Sequence, residues 1–595
     1  MFRIYIMSDS FEYSKSNEPV GESTTPYQSK QWNSIPDINS NSYSNNSLTL
    51  VTFDLSSIYN SSRFTSVSEM YITIPLVRTT AFSDGTALVA PGANLVPGAL
   101  NILKPYSNLI HQADIQISNN SLEQTVPYLN KLVEYQLLSQ MSATDIANIG
   151  PSLGYSSVLD NPNSLQFNAI NAVTASYSGN GFVNNRSLPN STTLPGGQFQ
   201  SRMGAGYQNL GTTNVALSER MARCVDTTKT AKNTAGQNLY GTTQADFLMS
   251  PTQLSAEIKS NIQILNTNYI VQYDMAVIRM KDLYDSIGSF PLCKRVDMVL
   301  RLYLSCGAIS VTVNTPNTTT TGYFSQLSQS TFTNSVPFVV GHLADTSVNG
   351  GIPANVTNIV TSLCVARPAS TTLSGVNLAL SGASHPSPSC RVYYPSIQLK
   401  PSFAEEYILR NRNKRVVYRT AMSSIYTNIV SGGSFSSLVQ NGVRNITGVV
   451  IMPFLDSSAT AYGSGNFGIG GSPFDTNLSH PISLINVNAM IGGVNVLQNP
   501  IQYGYDEYLQ QVSLFESISN SDLSVSCGVI TQQFWDANRV YFIDCSRGLL
   551  SDQMVSRNVD VSFSNNTNVP ISVVIYVLYN KEIIVDVETG AIQAV

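Results

Sequence analysis

The sequence predicts an all-β protein in which one strand-rich unit occurs twice. Three observations predict it. Short apolar stretches recur along the chain, some alternating with period two, bounded by Gly, Asn and Pro, and few helical patterns separate them. At 595 residues, the chain exceeds the roughly 250–300 residues beyond which one core stops growing. Finally, one passage is echoed far downstream. Residues 109–135, LIHQADIQISNNSLEQTVPYLNKLVEY, read as strand, turn, short strand and Pro-led helix start. Residues 484–508, LINVNAMIGGVNVLQNPIQYGYDEY, repeat that order of events.

Within the first passage Ala113, Ile115 and Ile117 alternate with polar residues, the period of a half-buried strand. Asn119 and Asn120 tolerate the left-handed backbone of a tight hairpin, and Gly492 and Gly493 stand at the corresponding turn. Pro127 suits a first helical turn. His111, beside Ile110, reads as a packed or capping histidine.

Taken in order, residues 1–46 read as a flexible N-terminal arm, polar and broken by Pro19, Pro26 and Pro36. Trp32 is its largest apolar group, an anchor either in a neighbouring copy or on its own domain. The first unit is expected over 47–400. It opens with a strand at 47–53 and a second at 67–77 (VSEMYITIPLV), with Pro75 near its end. A long loop insertion is expected at about 139–260, rich in Gly, Asn, Ser and Thr, with a short helix at 214–224. Strand signals return at 269–280, at 297–304 and at 390–399.

Residues 400–419 form the one cationic segment, with Lys400, Arg410, Arg412, Lys414, Arg415 and Arg419. It reads as a short helix from Pro401 and then a linker. A solvated, salt-bridged junction is the plain account; contact with an acidic neighbour or lipid head groups is the sharper one. The second unit is expected over 401–595. Its strand at 445–455 (NITGVVIMPFL) parallels 67–77, and Pro453 matches Pro75. Further strands are expected at 534–544, 556–564 and 571–579. The expected fold is therefore two tandem eight-stranded antiparallel jelly rolls with a long loop insertion in the first.

Charged residues make up 12 % of the chain, against about 25 % in ordinary soluble proteins. Such a neutral polar surface fits packing against many copies of the same chain; it equally fits AT-rich codon usage. The net charge of −5 argues against direct, sequence-specific nucleic-acid binding. Seven cysteines (Cys224, Cys293, Cys306, Cys364, Cys390, Cys527 and Cys545) show no CxxC spacing. They read as reduced thiols of an intracellular setting, with Cys293 and Cys306 as the one candidate bridge. The longest apolar runs, 448–455 and 571–579, fall short of the ~20 residues of a membrane-spanning helix.

A search for chemistry assigns no catalytic, cofactor-binding or metal-ligating residue. His111, His342, His385 and His480 form no zinc spacing. Residues 463–468 match GxGxxG but lack the strand before and helix after that a phosphate site needs. No GxxxxGK[ST] or GxSxG occurs. Glu405–Glu406 and Asp506–Glu507 are sequence neighbours, which do not converge from one helix. The expectation is no enzyme and no cofactor.

Four passages carry a family resemblance. IHQADIQISNNSLEQTVPYLN (110–130), RMKDLYDSIGSFPLCKR (279–295), QNPIQYGY (498–505) and VIYVLYNKEIIVDVETGAI (574–592) resemble, in order and spacing, passages of the major capsid proteins of virophages. Tyr284 and Arg295 depart from that pattern. The resemblance implies an upright (vertical) double jelly roll and a hexon-type capsomer: a homotrimer of six jelly rolls, pseudo-hexagonal in outline, tiling an icosahedral capsid. It implies further copies of the chain, penton proteins and minor capsid proteins as partners, an internal membrane as a neighbour of the shell, assembly in the host cytoplasm and residence in the virion. Without it, a β-rich viral fibre, adhesin or glycan-binding protein is the alternative.

Overall fold

The computed structural model describes residues 26–39, 41–44, 47–82, 102–118, 120–123, 126–153, 260–266, 269–313, 324–330, 337–339, 358–367, 372–373, 376–377, 384–456, 478–480, 482–516, 528–546 and 555–594. Sixteen of its strands fall into two sets of eight. The first set is β1 (Tyr27–Pro36), β2 (Ser47–Asp54), β3 (Tyr71–Phe82), β4 (Ile110–Ile117), β5 (Asn120–Glu123), β6 (Tyr269–Arg279), β7 (Met298–Val313) and β8 (Arg391–Leu399). The second is β9 (Asn413–Ile429), β10 (Ser434–Val443), β11 (Ile446–Leu455), β12 (Leu484–Ile491), β13 (Val494–Asn495), β14 (Tyr541–Asp544), β15 (Arg557–Asn565) and β16 (Ile571–Asp586).

Both sets pair in the same order, and every pair is antiparallel. In the first, one sheet runs β1-β8-β3-β6 and the other β2-β7-β4-β5. In the second, the sheets run β9-β16-β11-β14 and β10-β15-β12-β13. Adding eight to each number of the first set gives the second. That order results when a long hairpin of four strand pairs, first with eighth through fourth with fifth, is rolled around a core. It is a jelly roll, present twice. The first roll has several additions, and one of them, strand Asn358–Val365, pairs with both β3 and the far end of β7 and so joins its two sheets.

Burial explains why these sequences take these places. β11 is buried along its whole length, so it reads as continuous apolar sequence rather than alternation. β15 alternates, with Val559, Val561 and Phe563 inward. Pro75 and Pro453 are tolerated because the ladder on one side has no rung at either. β8 pairs with β3 only through Tyr71–Thr73 and strand Asn358–Val365 only from Leu76. β14 pairs with β11 only through Gly448–Ile451. A missing N–H there costs no hydrogen bond.

Among the helices are α1 (Leu129–Gln140), α2 (Pro401–Asn411), α3 (Tyr505–Glu516) and α4 (Gln532–Ala537). α1 follows β5 and α3 follows β13, so the echoed passages are the same hairpin and helix of each roll. α2 lies between β8 and β9.

The structure corrects three expectations. Residues 27–36, placed in a flexible arm, are β1 and pair along nearly all of β8. No residue of β1 is fully buried, so it lacks the apolar alternation that marks a strand in sequence. Residues 534–544, read as one strand, begin in α4, which ends at Ala537, and finish as β14 (Tyr541–Asp544). The Thr531 hydroxyl accepts from the Phe534 N–H and caps that helix. In the β4–β5 turn Ser118 is left-handed, at φ 49°, whereas Asn120, expected in the turn, already belongs to β5; Asn119 lies outside the described residues. The expected insertion falls outside the described residues from 154 to 259, as do the helix expected at 214–224, the GxGxxG passage, His342, Cys224 and Cys527.

Candidate functional site

A set of specific contacts between the two rolls lies where β5 meets β9 and β16. β5 is the edge strand of its sheet, so its backbone groups are open on one side. The second roll supplies partners for them. Tyr418 Oη donates to the Leu122 carbonyl at 3.0 Å, and Lys581 Nζ donates to the same oxygen at 3.0 Å and to Ser121 O at 3.4 Å. Thr420 Oγ1 donates to Glu123 Oε2 at 2.7 Å. Asn120 Nδ2 donates back to Ile592 O at 2.9 Å, and the Arg419 N–H donates to Asp285 Oδ2 at 2.9 Å.

Beside this strand contact the two echoed helices meet. Tyr508 of α3 and Tyr135 of α1 bring their hydroxyls to 3.3 Å, and the Val529 N–H donates to Leu138 O at 3.0 Å. Lys131 Nζ lies 5.9 Å from the centroid of the Phe454 ring on β11. Tyr407 of α2 is buried and donates to Leu292 O at 3.0 Å. Buried apolar residues run through both rolls as one cluster. Hydrogen bonds into a dry seam are directional, so they set the relative placement of the rolls as well as holding them together.

The electrostatics of the seam follow from burial. Desolvation pushes the Glu123 carboxyl up to about 7, against the weaker charge-favouring effects of Ser286, Thr420 and Lys581. Burial likewise raises the phenols of Tyr284, Tyr418 and Tyr576, and raises Tyr579 to about 12. Lys131 is fully buried, and its ammonium is pushed down by desolvation against the opposing pull of Glu134.

Elsewhere the described histidines are packed singly. His111 is buried edge-on against Tyr128, with ring centroids 4.7 Å apart, and burial lowers it to about 4. His480 Nδ1 accepts from the Leu455 N–H at 3.0 Å, and His385 Nδ1 from the Ser387 N–H at 3.0 Å. Among the described residues no three His, Cys, Asp or Glu side chains are grouped to hold a metal ion, and no helix is long and apolar enough to cross a membrane. Cys293, Cys306, Cys364, Cys390 and Cys545 are buried free thiols, so Cys293 and Cys306 do not bridge. The cationic segment is salt-bridged: Arg410 pairs with Glu406, and Arg415 with Glu582 across to β16.

Neither a protein-family model nor a curated protein matches this chain. Solved structures do. The chain is similar to the Sputnik virophage structure determined by cryo-EM, at 10 % identity and a TM-score of 0.48, over 100 % of this chain and 93 % of that one. It is similar to the major capsid protein of mavirus, at 11 % identity and a TM-score of 0.43, over 98 % and 92 % of the two chains. Similarity to the Faustovirus major capsid protein is 9 % identity and a TM-score of 0.38, over 96 % and 93 %. The jelly-roll assignment itself rests on the strand pairing described above.

The seam was not legible in the sequence. Its donors and acceptors are hydroxyls, a lysine and main-chain carbonyls hundreds of positions apart, and no spacing rule connects them. The one signal was the echo itself, which picked out both helices that meet there.

Proposed function

We propose that this chain is a major capsid protein, the structural protein of an icosahedral virion shell, with no enzymatic role. One observation carries the reading: a single chain holds two jelly rolls of identical strand order, joined by a buried, hydrogen-bonded seam. Three such chains in a closed ring present six similar domains, a pseudo-hexagonal capsomer that tiles a lattice. The virophage resemblance of residues 110–130 and 574–592 points the same way. The working location is the virion, with assembly in the host cytoplasm, and the partners are further copies of the chain, penton and minor capsid proteins and an internal membrane. Residues 47–400 and 401–595 serve as the two structural domains, β1 being added to the first.

The second roll offers a surface for contact between copies. β9 is the edge of its sheet, and Val417 and Ile425 on it are 54 % and 40 % exposed. They stand eight residues apart, hence on one face of the strand. Leu438 on the neighbouring β10 is 47 % exposed. Purified protein is tested by size exclusion and negative-stain microscopy. The reading expects trimers, ring-shaped capsomers and, at higher concentration, sheets or shells. Isolated monomers without rings overturn it.

A further inference from the structure

Glu123 ends β5 at the point where the two rolls meet, and it is 1 % exposed. One carboxylate oxygen, Oε2, accepts from Thr420 Oγ1 of the second roll at 2.7 Å. The other, Oε1, is buried with no well-formed hydrogen bond; the Ser286 hydroxyl beside it only weakly favours the charged form.

The groups facing Glu123 come from three elements. β9 supplies Thr420 and Tyr418, and β16 supplies Lys581 and Tyr579. Helix Asp285–Gly288 supplies Asp285 and Ser286, with Tyr284 immediately before it. Lys581 favours the charged carboxylate, but its ammonium is bonded to the carbonyls of Ser121 and Leu122. Asp285 opposes the charge. The tyrosines are raised by burial and stay neutral around neutral pH.

A deeply buried carboxylate with no well-formed hydrogen bond to its second oxygen is expensive as an anion. As the acid it carries no charge, and its proton puts a donor on Oε1 while Oε2 still accepts from Thr420. We propose that Glu123 is a proton-operated latch between the two jelly rolls, closed when its carboxyl is neutral and loosened when it ionises. The latch acts within one chain, so it stands or falls separately from assembly into a shell.

Its titration range follows from the same burial, which moves the group from 4.5 to about 7. Between those values the folded chain holds a proton that the unfolded chain has released. The stabilisation is therefore complete below 4.5, declines as pH rises through the window, and is lost above about 7.

The test uses the full chain and Glu123→Gln, which has the shape of the neutral acid, keeps an acceptor for Thr420 and cannot ionise. Thermal unfolding and amide hydrogen exchange are followed from about pH 4 to about pH 9. The two proteins should match at the acid end. As pH rises from about 4.5 to about 7 the wild type should lose thermal stability relative to the variant, and the difference should level off above that. Its exchange protection at 120–123 and 413–420 should fall further than the variant's, on the order of 300-fold for a shift of about 2.5 pH units. A stability difference that does not change with pH overturns the latch. If Glu123→Gln fails to fold, Lys581→Met in the otherwise native chain decides. Removing that cation should move the midpoint of loosening to higher pH, and an unchanged midpoint overturns the proposal.

Discussion

Tyr576 on β16 donates its phenolic hydrogen to the main-chain carbonyl of Tyr128 at 2.7 Å, bridging 448 positions of sequence. Tyr128 sits in the left-handed region, φ 57°, at the start of α1. A strand of the second roll thus helps hold the strained entry to a helix of the first. Tyr576 is fully buried, so Tyr576→Phe removes the bond while keeping the ring. The expected cost is about 1 kcal/mol, read as a lower denaturant midpoint with an unchanged slope.

The seam also leaves no room for added atoms. A Cβ on Gly590 would lie 2.8 Å from the carbonyl oxygens of both Lys294 and Arg295 of the first roll, at φ +68°. Gly493, in the β12–β13 turn, has φ +82° but nothing within 4 Å. Gly493→Ala should therefore cost only the backbone strain of about 1–2 kcal/mol. Gly590→Ala adds an overpacking cost of about 1–3 kcal/mol and should separate the rolls. Comparing thermal unfolding of the two variants isolates the wedge; equal losses would refute it.

His111 sets an acid limit opposite in sense to Glu123. Burial lowers it from 6.5 to about 4, so folding excludes a proton that the unfolded chain binds in that interval. Its stabilisation is present above 6.5 and is lost as pH falls toward about 4, a loss of roughly 3 kcal/mol at about 1.4 kcal/mol per pH unit. His111→Phe keeps a ring against Tyr128 and should flatten that part of the stability–pH curve. An acid limb of undiminished slope in urea titrations would show that other groups carry it.

Contact between copies should depend on Val417 and Ile425, exposed on one face of β9. Ile425→Lys places a charge on that face. Surface changes of this kind usually alter stability by no more than about 0.5 kcal/mol, so the variant should unfold like the wild type yet fail to form trimers or sheets. Retained assembly by size exclusion and microscopy would move the contact elsewhere.

Much of the fold was legible in the sequence because burial leaves a pattern. β4 and β15 alternate, β11 is apolar throughout, and the two echoed passages carry the same hairpin and helix. β1 was missed because it is an edge strand with no fully buried residue: paired along β8 through main-chain groups, it needs no apolar period. Trp32, the arm's largest apolar group, is 50 % exposed yet rests 5.6 Å from the Tyr71 ring, so it packs on its own roll while half its surface stays open. In 534–544 the apolar residues resembled a strand, but the Thr531 cap and the Trp535 Nε1–H bond to Val540 O organise a helix first.

By itself, then, the sequence determined that the chain is strand-rich, that it repeats one design, and which central strands are buried, because these depend on local hydrophobic period. Tertiary structure alone decided how the two rolls are joined. The seam is made of Tyr418, Thr420, Tyr576 and Lys581 meeting Leu122, Glu123 and Tyr128, and a hydroxyl or a carbonyl looks the same in sequence whether it faces water or a partner 300 residues away. Whether Glu123 is an ordinary surface acid or a desolvated carboxyl that titrates near 7 is likewise set by what packs over it.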